Sequence, residues 1–272
     1  MEGNNELKTA WEFVEKTGKS VFLTGKAGTG KTTFLRRVVE ESRKRVVVVA
    51  PTGIAAINAG GVTIHSFFQL PLHPFIPGMK IESKFAFSKE KRSIIKTMDI
   101  LIIDEISMVR CDLLEAIDSV LRRFRNKYKP FGGVQLLMIG DAQQLSPVVK
   151  EEERYYMSQV YPSPYFFHSK ALQRLDYVTV ELQKVHRQKD REFVEILNSI
   201  RENRLSQPLL DSLNSRVGAF DDDDTIRLTT HNAQADGINM RKLDLLPEEP
   251  SLFEAEIEGE FPENSFPADV VL

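Results

Sequence analysis

The sequence predicts an α/β fold, a parallel β-sheet flanked by helices and built around a phosphate-binding loop. Short apolar, β-branched runs bounded by turn residues recur at 21–24, 45–50, 100–103 and 134–139, and such runs read as strands buried on both faces. Helical patterns lie between them, at 32–44 and at 111–128, where Leu113, Leu114, Ile117, Val120, Leu121 and Phe124 recur at helical spacing as a core-facing stripe. Strand alternating with helix implies a parallel sheet covered by helices. The third observation is a Gly-rich loop, GKAGTGKT, between the first strand and the first long helical pattern.

That loop, Gly25 to Thr32, fits GxxxxGK[ST]. Glycines let backbone N–H groups wrap around phosphate oxygens, and the following helix points its positive end at the same charge. Gly28, Thr29, Gly30, Lys31, Thr32 and Thr33 form the expected nucleotide contacts. Lys31 would neutralise the β- and γ-phosphates of ATP, and the Thr32 hydroxyl would take one Mg²⁺ position.

The run ILIIDEISM delivers Asp104 and Glu105 to the C-terminal edge of the sheet, where ligands of open α/β sheets bind. Asp104 is expected in the magnesium shell, and Glu105 as the general base that polarises the attacking water. A third strand, in VQLLMIGDAQQLSPV, ends in Gly140, Asp141 and Gln144. An amide at that edge could sense the γ-phosphate, and Arg187, in LQKVHRQ, could reach ATP from across a domain boundary.

Residues 71–92 interrupt the alternation with three prolines, a glycine and a cationic end, and read as a surface insertion. A second shift near 177–186 marks the expected domain boundary. Beyond it come a helix over 191–203 and a strand over 225–230. From Leu246 the chain is rich in Pro and Glu, and ADVVL at its end reads as a strand beginning.

Composition sets outer limits. The lone cysteine, Cys111, can form neither an internal disulfide nor a thiolate metal cage, so a reducing intracellular compartment is expected. No run of about 18 apolar residues and no basic-then-apolar leader occurs, which gives no expectation of a membrane. The net charge of −3 offers no whole-chain footprint for nucleic acid, so any such site must be a local groove. Acid is concentrated at Asp221–Asp224 and over 248–263, whereas 26–130 carries many Lys and Arg.

With APTGIAA (50–56), GVTIHSFF (61–68), DEISM, GDAQQLSPV and LQKVHRQ in this order, the chain resembles the Pif-type helicases of superfamily one, near relatives of the RecD type. The spacer MVRCDLLEAIDSVLRRFRNKYKPFGG is similar to that group's signature segment. The resemblance implies an ATP- and Mg²⁺-dependent motor that moves 5′ to 3′ along single-stranded DNA and acts at ss/dsDNA junctions, with roles in DNA repair, recombination and telomere maintenance. It implies a monomer, or a dimer on DNA.

The resemblance also implies two RecA-like domains, 1–177 and a partial second one over 178–272, with 71–92 placed where relatives carry a duplex-parting wedge. Lys31, Thr32, Asp104, Glu105, Gln144 and Arg187 would line the cleft between them, with Lys31, Glu105, Gln144 and Arg187 as the catalytic set. Thr52, Gly53, Thr63, His65, Phe67 and Phe68 would contact DNA from the first domain, and Thr230 and Asn232, in LTTHNAQADGIN, from the second. Stacking on flat rings is sequence-tolerant, although either phenylalanine taken alone reads more readily as core.

Two departures accompany the resemblance. The stretch NNELKTAWEF lacks the adenine-reading glutamine that family members commonly carry, and the sequence ends where relatives continue into further motifs. Little unwinding by these residues alone is therefore expected. A nucleotide switch acting on a protein would use the same loop and acid pair, and GVTIHSFF and LTTHN are the features that separate the motor from it. A DNA-binding module with a decayed site is disfavoured by the full set of Lys31, Thr32, Asp104 and Glu105.

Overall fold

The computed structural model describes residues 5–75, 87–186, 188, 190–218, 225–247, 251–253, 256 and 270–271. The chain runs through α1 (Asn5–Lys16), β1 (Ser20–Gly25), α2 (Lys31–Glu41), β2 (Val46–Ala50), α3 (Gly53–Asn58), β3 (Val62–Thr63) and α4 (Ile64–Phe68). It continues through α5 (Lys89–Thr97), β4 (Ile100–Ile103), α6 (Cys111–Phe124), β5 (Gln135–Ile139), α7 (Glu151–Val160), α8 (Lys170–Gln173), β6 (Tyr177–Leu182) and α9 (Arg191–Arg201). Six strands form one parallel sheet in the order β3-β2-β4-β5-β1-β6.

The period of two along each strand divides the core into layers. Ile100 and Ile102 of β4, with Leu137 and Ile139 of β5, pack with Phe34, Leu35 and Val38 of α2 and Ala10 and Val14 of α1. Their alternates, Leu101, Ile103, Leu136 and Met138, pack on the other face with α4, α5, α6 and α8. Both faces being covered explains why these strands read as unbroken apolar runs.

Two helices stop short of their patterns for identifiable reasons. The helix expected to reach Tyr128 ends at Phe124. There the Arg125 guanidinium turns to donate to the carbonyls of Ile95, Lys96 and Met98 at 2.9, 2.6 and 3.0 Å, capping the end of α5. The helix expected to reach Lys44 ends at Glu41, because Ser42 adopts extended backbone and donates its hydroxyl to Glu15 at 2.7 Å.

The expected boundary at 177/178 falls inside the sheet. Tyr177–Leu182 is the edge strand β6, parallel to β1 from Ser20↔Tyr177 to Gly25↔Leu182. The first compact unit accordingly runs to Ser206. The second unit, 207–272, contains α10 (Gln207–Asn214), α11 (Asn232–Leu243), and β7 (Leu252–Phe253) antiparallel to β8 (Val270–Val271). Residues 225–230, expected as a strand, are exposed and lie outside the regular strands. Within the insertion, 76–86 lie outside the described residues. Its root is fixed by the Phe75 N–H donating to Asp112 at 2.9 Å, and its cationic end is the first turn of α5, capped by Ser88.

Candidate nucleotide site and nucleic-acid face

β1, β5 and β4 are neighbours, so the segments that leave their C-terminal ends converge on one edge of the sheet. The segment after β1 is the Gly-rich loop. Gly28 and Gly30 take φ of 74° and 98°, conformations that a side chain would strain, and Gly30 caps α2. Lys31 folds its ammonium back onto the loop, donating to the carbonyls of Gly25 at 2.6 Å and Lys26 at 3.0 Å. Burial pushes it below the ordinary lysine range, while Asp141, Glu105 and Asp104 pull it back up. Thr32 and Thr33 are exposed on the first turn of α2. The buried Thr29 side chain instead braces the loop, donating to the Lys26 carbonyl at 2.9 Å.

β4 delivers the acid pair. The Asp104 N–H still donates to Val49 across the sheet at 2.9 Å, after which Glu105 turns the chain in a left-handed conformation, φ 49° and ψ 46°. Such geometry in a residue other than glycine costs of order 1–3 kcal/mol and persists only where the surroundings impose it. The surroundings here include Gly140, where a Cβ would lie 2.9 Å from Ile106 Cγ2 and 3.0 Å from the Ile106 nitrogen. Burial raises the Asp104 carboxyl to about 6, with the Glu105 charge adding to the rise and a backbone hydrogen bond and Lys31 opposing it.

β5 delivers Asp141 and Gln144. Asp141 is 1% exposed and is held by Arg201, whose Nε and Nη2 donate to it at 3.1 and 3.0 Å. Gln144 is exposed, and its amide donates to Asp141 at 3.2 Å. Arg187 lies outside the described residues. The described chain before it ends on His186, whose backbone N–H donates to the Gly28 carbonyl at 2.8 Å. Sequence reasoning missed Arg201. The only available signal was a buried acid at a strand end in need of a cation, and that says nothing about which of 36 Lys and Arg supplies it.

These residues fit a nucleotide with its metal. The loop offers amides and an ammonium hydrogen-bonded to its own carbonyls, and the burial of Asp104 outweighs the groups that favour its charge. Among the described residues no three His, Cys, Asp or Glu are arranged as a cage. One hydroxyl, Thr32, and one carboxylate, Asp104, suit Mg²⁺, which is commonly held by one or two carboxylates together with substrate phosphates.

The expected DNA contacts separate into two groups. Thr52 and Thr63 are the N-caps of α3 and α4, their hydroxyls accepting from Ala55 and Ser66 at 3.3 Å, with Gly53 exposed beside them. Thr52 and His65 line a cavity of about 280 Å³ together with Pro51, His73, Arg110 and Ser146. Burial, then the Arg110 charge, lowers the His65 imidazole below its usual range, so it is neutral at pH 7. Phe67 and Phe68 are corrected: at 7% and 0% exposure they are core residues, packed edge-on at 4.8 Å, and offer bases no free face. In the second unit, Thr230 and Asn232 are exposed at the start of α11, with the Thr230 hydroxyl 2.9 Å from His231 Nδ1.

Residues 4–209 match the PIF1-like helicase family. The chain is 36% identical over 247 residues to the ATP-dependent DNA helicase PIF1 of Homo sapiens, covering 88% of this chain and 36% of that protein. A crystal structure of Pif1 helicase from Bacteroides in complex with ADP-AlF3 and ssDNA is similar at a TM-score of 0.84 and 40% identity, over 98% of this chain and 62% of that one. A structure of two coordinating Pif1 helicases unwinding forked dsDNA is similar at 0.87 and 42%, over 100% of this chain and 65% of that one. The chain thus spans about a third of the human protein's length and just under two thirds of these solved chains. No described helix is long and apolar enough to cross a membrane. Since the matched span contains the whole six-stranded sheet, the phosphate loop and the acid pair, this chain belongs to the PIF1-like helicase family.

Proposed function

We propose that the chain is the ATP-binding part of a DNA helicase motor, hydrolysing Mg·ATP to move 5′ to 3′ along single-stranded DNA and to open ss/dsDNA junctions. The observation that carries this reading is the convergence of Lys31, the Asp104–Glu105 pair and Gln144 at the ends of the adjacent strands β1, β4 and β5. The similarity to a relative bound to ADP-AlF3 and ssDNA supports it. Lys31 leaves the loop carbonyls for the β- and γ-phosphates, Thr32 and Asp104 hold Mg²⁺, Glu105 accepts the proton of the attacking water, and Gln144 contacts the γ-phosphate. Arg187 is the cation proposed to complete charge neutralisation. Thr52, Gly53, Thr63 and His65 are the proposed DNA contacts of the first unit, and Thr230 and Asn232 those of the second. The domain assignment consistent with the sheet is a first RecA-like domain extending through β6, followed by part of a second.

Steady-state ATP hydrolysis with and without oligo-dT, repeated over a range of salt concentrations, tests the reading. Stimulation by the oligonucleotide that weakens with salt is expected, because phosphate contacts release counterions. Lys31→Ala should abolish hydrolysis while leaving oligo-dT binding intact. Normal stimulated hydrolysis by that variant, or nucleotide hydrolysis indifferent to DNA, would overturn the motor reading in favour of a protein-directed switch.

A further inference from the structure

Asp141 occupies an unusual position for an acid in a nucleotide site, because its oxygens are fully engaged by the protein. One oxygen accepts from Arg201 Nη2 at 3.0 Å and from the Gln143 N–H at 3.1 Å. The other accepts from Arg201 Nε at 3.1 Å and from the Gln144 side-chain amide at 3.2 Å. The Gln144 N–H closes the turn on the Asp141 carbonyl at 2.9 Å. Gln144 and Arg201 therefore share a single carboxylate oxygen.

The two-pronged geometry of the guanidinium fixes direction as well as charge, and Arg201 is only 17% exposed at its side chain. It is the last residue of α9, and its neighbour Glu202 pairs with Lys26 of the phosphate loop at 3.4 Å. The end of α9 is thus fastened both to the phosphate loop and to the loop after β5. Lys31 feels both members of the pair, Asp141 raising and Arg201 lowering its proton affinity, which places the pair beside the phosphate end of the site.

We infer that Arg201 is a positioning residue for γ-phosphate recognition: its clamp on Asp141 sets the turn that presents Gln144. Without it the buried carboxylate loses the one cation hydrogen-bonded to it among the described residues, the 141–146 turn rearranges, and Gln144 is no longer held where it meets the terminal phosphate. The effect is confined to nucleotides that carry a γ-phosphate, since the Gly-rich loop and Lys31 remain in place for the others. The inference rests on the nucleotide site proposed above and on Gln144 as its γ-phosphate contact.

Calorimetric titration of the 272-residue chain with Mg·ADP and with the Mg complex of the non-hydrolysable imido analogue of ATP separates the possibilities. Arg201→Ala should leave the Mg·ADP Kd within about twofold and weaken the imido analogue by about tenfold, and Gln144→Ala should do the same. If Arg201 acts through Gln144, the double variant should be no more than about twofold weaker than either single one. Arg201→Lys, which keeps the charge but not the fork, should fall between wild type and Arg201→Ala. It carries the same comparison should Arg201→Ala fail to fold, with fluorescence of Trp11 reporting the integrity of the first unit. Equal weakening of both nucleotides, losses that multiply in the double variant, or a wild type blind to the γ-phosphate would each overturn the inference. Failure of the wild-type chain to bind either nucleotide would instead remove the nucleotide site itself.

Discussion

Replacing Asp104 with Asn should make the empty protein more stable and its nucleotide complex weaker. Burial, reinforced by Glu105, raises the Asp104 carboxyl from 3.8 to about 6. A rise of roughly two units corresponds to about 3 kcal/mol of folding free energy withheld while the group is ionised. Residual solvent contact reduces this to a realistic gain of about 1–2 kcal/mol for Asp104→Asn. The sign follows from linkage: the folded state holds the proton more tightly than the unfolded one. The penalty is therefore absent below about pH 4, grows between about 4 and 6, and is complete above. Urea unfolding followed by Trp11 fluorescence reports on the first unit, because the only tryptophan lies on α1, with the Arg37 guanidinium 4.5 Å above its ring. At pH 8 the full gain is expected, and at pH 5 about half of it. The same variant should lose most of the stabilisation that Mg·ATP gives to wild type. No gain at pH 8, or a gain of equal size at pH 5, would refute the claim that this carboxylate is held ionised against its environment.

Three further outcomes follow from the same geometry. Phe68→Ala should cost about 3–5 kcal/mol of stability, as expected for a fully buried ring; unchanged stability with weakened DNA binding would restore Phe68 as a stacking surface. Arg110 donates to both oxygens of the buried Asp112 at 2.8 and 2.7 Å and to Glu153 at 2.7 Å. Arg110→Ala should therefore destabilise by about 3–5 kcal/mol, and a loss under about 1 kcal/mol in urea unfolding would refute the buried network. His65 is neutral at pH 7, so His65→Ala should leave the slope of log affinity for oligo-dT against log salt unchanged. A shallower slope would mean that the imidazole is charged against a phosphate.

What could be read from the sequence was local. Four consecutive apolar residues at 100–103 followed by two acids specify a strand and a strand-end site together, and GKAGTGKT does the same for β1 and α2. What escaped depended on distant partners. Tyr177–Leu182 joins the sheet by pairing with residues 157 positions earlier at Ser20, and as an edge strand with half-buried alternation it looks like a transition rather than a core element. Arg201 reaches Asp141 across 60 residues. The ring pair at 67–68 is placed at DNA only by the resemblance, whereas residue chemistry favours core for each ring, and the structure buries both. The cationic end of the 71–92 insertion does not announce that it opens an amphipathic helix, Lys89–Thr97, that buries Ile95.

The unfavourable features of the molecule collect at one place. Glu105 sits in left-handed backbone, Asp104 is ionised at a half-buried position, Lys31 is desolvated and hydrogen-bonded to loop carbonyls, and all three lie on the C-terminal edge of a sheet whose two faces are well packed. Strain of this kind survives only if the remainder of the unit is stable enough to impose it, and here the two core layers supply that stability. The consequence is thermodynamic coupling. A ligand that pairs the Lys31 ammonium with phosphate and the Asp104 carboxylate with a divalent cation removes both penalties together, so binding appears as stability of the first unit. Asp104→Asn relieves one of these penalties permanently, which is why its effects on the empty and the loaded protein must carry opposite signs.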